Sequence, residues 1–97
     1  MSSINAERML NIESAIRTAL TPVELKVADE SHLHAGHAGA KTGMGHFHVE
    51  VVSDAFEGQR TLHRHKLIYA AVGSLMQTDI HALRIDAKTP AEAKLSN

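Results

Sequence analysis

Five of the chain's eight histidines fall between His32 and His48, a stretch without one acidic side chain. It reads His32-Leu33-His34-Ala35-Gly36-His37-Ala38-Gly39-Ala40-Lys41-Thr42-Gly43-Met44-Gly45-His46-Phe47-His48. Imidazole is a borderline-soft nitrogen donor that also titrates near neutral pH. A flexible segment dense in it can hold a metal or respond to acid. There is no cysteine, so a metal centre that demands thiolate must take its sulfur from a second molecule. The same absence removes disulfides, a self-sufficient cysteine zinc site and any Cys-His nucleophile pair. Ser31 beside His32 is a sequence neighbour and not a triad. No enzyme chemistry is expected.

Two further groups of side chains have chemical content. His46 and His48 lie two apart in an alternating segment, so both rings project from one strand face. Such a pair can chelate zinc or nickel; the plainer reading is a polar strand face that happens to be rich in histidine. Arg60-Thr61-Leu62-His63-Arg64-His65-Lys66 is the strongest basic run, with no acid in it. At the start of a helix it can hold phosphate, because the first amides add partial positive charge. Against that, His65 has Ile68 and Val72 on its helical face and can point to the core. Arg64 and Lys66 are then either plain solvated charges or a dock for an acidic partner.

These residues must be positioned by one small core, since 97 residues make one domain. Hydrophobic residues are 43% of the chain, too many for a disordered one. Aromatics are 3% with no Trp, thin support for stacking on single-stranded nucleic acid. Ten Lys plus Arg against eleven Asp plus Glu do not announce a nucleic-acid binder either. Protonating the histidines would raise the charge steeply as pH falls. Glu7 and Glu13, with no long apolar run around them, argue against a secretory or transit segment. No stretch approaches the roughly 18 apolar residues of a membrane span. A soluble, cytoplasmic protein is expected.

Met9, Ile12, Ile16 and Ala19/Leu20 have helical spacing over Ile4 to Leu20, and Thr21-Pro22 ends that helix. Leu25 and Val27 alternate with polar neighbours, as in a half-buried strand. Residues 31–45 carry four of the six glycines and read as a loop. A second strand follows from His46 to Ser53, with Phe47, Val49 and Val51 on one face. The two strands make an antiparallel hairpin with a long tip. After a turn at Asp54 to Gly58, a helical period returns over Gln59 to Thr78, as a short helix near Thr61 and a longer one from about Arg64. Ile80 to Ala87 alternates again, with Leu83 and Ile85 opposite Arg84 and Asp86. Thr89-Pro90-Ala91-Glu92 is a capping box for a last helix, with a flexible tail at 95–97. The order α-β-β-α-α-β-α gives an α+β fold, a three-stranded sheet with helices on one face.

This order, together with Phe56-x-Gly58, Arg64-His65-Lys66-Leu67-Ile68-Tyr69 and Ile80-His81-Ala82-Leu83, resembles the BolA family over nearly the whole chain. Asp29-Glu30-Ser31, Val51-Val52-Ser53-Asp54 and Thr89-Pro90 fit as well. Two positions depart from the family pattern: Lys66 replaces a second Arg, and Ala93 replaces an aromatic in the last helix. The resemblance implies a class II KH-like fold and two functional traditions. One is pairing with a monothiol glutaredoxin to share a 2Fe-2S cluster that glutathione also ligates. The other is DNA-binding transcriptional regulation linked to stress and cell shape.

The family pattern Glu-Ser-x-x-His falls on Glu30-Ser31-His32-Leu33-His34, so the resemblance selects His34 as the loop ligand, with His37 as fallback. It selects His81 as the second ligand, against the alternative of a partly buried histidine satisfied by a carbonyl. The partner then brings the sulfurs, and the isolated chain is not expected to hold a cluster. For DNA or an acidic partner the candidates are Arg60, Arg64, His65 and Lys66. Gly36-His37-Ala38-Gly39 spells the backbone clamp of KH folds, but it lies between strands rather than between helices. Gly43-Met44-Gly45 reads as a hinge.

Overall fold

A computed structural model describes residues 4–34 and 43–95, at 33 and 34 the backbone alone. The elements are α1 (Ile4–Leu20), β1 (Glu24–Asp29), a 3-10 turn (Ser31–His34), β2 (Gly45–Val52), a second 3-10 turn (Asp54–Phe56), α2 (Thr61–Val72), α3 (Leu75–Thr78), β3 (Ile80–Lys88) and α4 (Pro90–Leu95). The sheet order is β1-β2-β3, antiparallel between β1 and β2 and parallel between β2 and β3. The hairpin and the α+β order are as expected. Parallel pairing follows from the crossover through α2 and α3, which brings the chain back to its starting end.

β2 is therefore the middle strand. Phe47, Val49 and Val51 are wholly buried on the face that α1 and α2 cover with Ile12, Ile16, Ile68 and Val72. Phe56, from the 3-10 turn after β2, and Ile80, from the start of β3, complete that core. Leu25 and Val27 of β1, and Leu83 and Ile85 of β3, pack half-buried at its margins. Ser53 joins two elements at once: its hydroxyl donates to the Leu20 carbonyl at 2.7 Å and accepts from the Ala55 amide at 3.1 Å.

Two sequence expectations shift. The break between the helices lies at Gly73, not ahead of Arg64. Gly73 adopts φ +53°, a left-handed conformation that glycine reaches without cost, and its amide closes α2 on the Tyr69 carbonyl. Gly45 is a strand residue rather than a hinge. A Cβ there would meet the Phe47 ring at 2.5 Å and the Ser31 hydroxyl at 3.2 Å. The ring folds back over its own strand into the space that glycine leaves.

Arg64 is the polar centre of the fold. Its guanidinium donates to the carbonyls of Gln59 (2.7 Å) and Ala87 (3.1 Å) and forks onto Glu92 at 2.6 and 3.1 Å. It also stands 5.9 Å over the Phe56 ring. Glu92 closes the expected capping box in the same act: Thr89 N donates to it at 2.9 Å, and Glu92 N donates to the Thr89 hydroxyl at 3.1 Å. The Arg64 guanidinium, then the Thr89 amide, hold the Glu92 carboxyl down at about 2, from an ordinary 4.5.

Three substitutions test this packing. A depressed carboxyl contributes stability above its ordinary value, and that contribution fades as pH falls from 4.5 towards about 2. Glu92→Gln should flatten that acid limb in urea unfolding curves at stepped pH, and Arg64→Ala should cost about 2–3 kcal/mol at neutral pH. Gly45→Ala should cost about 1–3 kcal/mol by overpacking against Phe47, measured by the same unfolding.

Candidate functional site

The register between β2 and β3 slips at its first step: Gly45 faces Ile80, but His46 faces Ala82. His81 is the residue left over. An extra residue of this kind bends its strand and re-aims a side chain. Ile80 is wholly buried, while His81, next to it, is exposed. The His81 ring lies 5.1 Å from that of His46, tilted by 51°, and His46 is 7% exposed.

On the other side of His46 stands the start of the histidine-rich segment. β1 ends in a turn in which the Ser31 amide donates to Asp29 Oδ1 at 2.9 Å. The Ser31 hydroxyl then accepts from the His46 amide at 3.1 Å, and the Glu30 amide donates to the His46 carbonyl at 2.8 Å. The turn that carries His34 and the bulge that carries His81 therefore flank one residue of the central strand. The His34 side chain and all of His37 lie outside the described residues. Burial opposes ionisation of Asp29, but bonds from the Ser31 side chain and amide and from Asn5 outweigh it and hold the carboxyl below its usual value.

The open sheet face carries an ion network. Arg84 forks onto Glu30 at 2.6 and 3.2 Å. Its Nη2 lies 3.2 Å from His48 Nδ1, and His48 Nε2 lies 2.7 Å from Asp86 Oδ2. A guanidinium only donates, so Nδ1 accepts and Nε2–H donates to Asp86: the neutral tautomer satisfies both contacts. His46 and His48 share a face, as read; the His46 ring lies beside that of His81, and the His48 ring is bonded to Asp86. Among the described residues no three or more His, Asp or Glu side chains form a ready-made metal site.

In the basic run, Arg60 and Lys66 are exposed, His65 is half-buried, and Arg64 is committed to the interior contacts given above. Arg60 precedes α2 without making a side-chain cap. Sequence reading missed Asn5 and Arg8 of α1. Asn5 Nδ2 donates to Asp29 Oδ2 (3.1 Å), and Arg8 Nη1 donates to the Gly43 carbonyl (2.8 Å). It also missed the place of His46 beside His81. Only the parallel order of β2 and β3 reveals that neighbour, and no residue type signals it. No helix among the described residues is long and apolar enough to cross a membrane.

Comparison with known proteins agrees with this architecture. Residues 16–92 match the family described as BolA-like protein. The chain is 43% identical over 90 residues to SufE-like protein 1, chloroplastic/mitochondrial, of Arabidopsis thaliana, covering 88% of this chain but only 24% of that relative. It also spans only 56% and 62% of two further relatives. It is 42% identical over 81 residues to the DNA-binding transcriptional regulator BolA of Escherichia coli (strain K12), covering 84% of this chain and 74% of the relative. The solved BolA domain of SufE1 from Arabidopsis thaliana superposes with a TM-score of 0.77 at 44% identity, over 88% of this chain and 94% of that one. With the match running through all three strands and through α2 and α3, the chain belongs to the BolA-like protein family.

Proposed function

We propose that this chain is an iron-sulfur adaptor in cluster trafficking or iron sensing, placed in the cytoplasm. It pairs with a monothiol glutaredoxin and co-ligates a 2Fe-2S cluster, with glutathione arriving through the partner. His81 is one donor, and the loop supplies the other, His34 first and His37 second. The observation that carries the reading is the exposure of His81 on a bulge, one strand residue away from the turn that leads into the histidine-rich segment. A chain that offers imidazole and no thiol fits one half of a mixed-ligand centre. A bound cluster with imidazole on one iron has less negative charge and a higher potential than an all-thiolate one. The protein's own part is to hold one donor rigidly on the sheet, beside the wholly buried Ile80, and the other at the loop. We assign it no catalytic step.

Visible absorption and circular dichroism test this reading. Cluster-loaded glutaredoxin mixed with the wild-type chain should change its spectrum, and His81→Ala should weaken formation of the mixed species by about tenfold or more. A spectrum that stays the same with the wild-type chain sinks the proposal.

A second reading, DNA-binding regulation, has support from the printed name of the Escherichia coli relative and from exposed Arg60 just before α2 and Lys66 within it. The formal charge of -1 places it second. Arg60→Ala and Lys66→Ala should each reduce the salt slope of duplex binding by about one. No binding at low salt ends this reading.

A further inference from the structure

The first turn of α1 reaches both ends of segment 35–42. Asn5 Nδ2 bonds Asp29 Oδ2 at 3.1 Å and the Ser31 hydroxyl at 3.4 Å, and Asn5 Oδ1 accepts from Arg8 Nη1 at 3.0 Å. The same Arg8 nitrogen donates to the Gly43 carbonyl at 2.8 Å. Ser31 in turn accepts the His46 amide, and Glu30 beside it is forked by Arg84, three residues along β3 from His81. One hydrogen-bonded chain thus runs from α1 through the turn Ser31–His34 to the strands that place His81. Asn5 and Arg8 lie on the same face of α1 as the buried Ile12, Ile16 and Leu20, one to two turns nearer its start, where that face leaves the core and is only half-buried.

We infer that Asn5 and Arg8 are positioning residues for the loop donor. They hold the turn Ser31–His34, on which His34 sits, against the strands that carry His81. The inference rests on the adaptor reading and deepens it. Groups that orient a ligand without touching the metal commonly matter about tenfold or more in affinity.

The test has two arms and uses the full chain. In the first, amide hydrogen exchange is followed at Ser31 and His46 in the isolated protein, for wild type, Asn5→Ala, Arg8→Ala, Arg8→Lys and Arg17→Ala. Arg17 serves as control on the same helix, because its ion pair with Glu13 at 3.0 Å lies far from the loop. In the second, the lifetime of the mixed 2Fe-2S species with glutaredoxin is read by visible circular dichroism. Asn5→Ala and Arg8→Ala should speed exchange at both amides and shorten the cluster lifetime about tenfold. Arg8→Lys should restore much of both, and Arg17→Ala should change neither. Unchanged exchange in the two alanine variants overturns the inference. So does faster exchange with a wild-type cluster lifetime, which would leave the clamp a purely structural one. If the wild-type chain forms no mixed species at all, the adaptor reading itself fails, and that result is visible before any variant is made.

Discussion

Everything in this molecule is arranged around a strand that has neighbours on both sides. β2 gives its inner face wholly to the core through Phe47, Val49 and Val51, and both of its edges to hydrogen bonds with β1 and β3. A shift of one residue along it would turn those three side chains to the opposite face. The register is therefore fixed by burial, and whatever β1 and β3 carry is placed by reference to it. The slip at Gly45/His46 gains its meaning from this constraint. In a strand free to slide, an extra residue would be absorbed; next to β2 it has to stand out.

Two polar systems that do not share a residue flank the sheet. Arg64, Glu92 and Thr89 lie at one end, where they bind α2 to α4 and to the Ala87 carbonyl of β3. Asn5, Arg8, Asp29, Ser31, Glu30 and Arg84 lie at the other, around the entry and exit of the histidine-rich segment. The first system is half-buried and makes its bonds to backbone as well as carboxylate. Such bonds lose more when one partner is removed than exposed ion pairs do. The second is half-buried as well, apart from the exposed Arg84.

Much of this was legible in the sequence. The 3.6-residue spacing of Ile12, Ile16 and Leu20, the alternation through Phe47, Val49 and Val51 and the Thr89–Glu92 cap each announce a local structure, because each depends on neighbours close in the chain. Arg64 was not legible. Its partners are Gln59, Ala87 and Glu92, two of them more than twenty positions away, and nothing in a basic run marks one guanidinium as interior. The roles of Asn5 and Arg8 were hidden for the same reason. His46 illustrates the limit best: its parity was read correctly, but its neighbour across the sheet depends on which strand comes to lie beside it, and parallel pairing across a crossover leaves no local signature.

The two polar systems also give the molecule a mechanical polarity. Tension applied at the front end of the chain enters through the turn that holds Asn5 and Arg8, and so reaches the histidine-rich segment before it reaches the core. Tension applied at the far end meets the fork between Glu92 and Arg64, and α4 must peel away before the sheet feels any load. Tethering the protein by one terminus or the other would therefore stress different machinery.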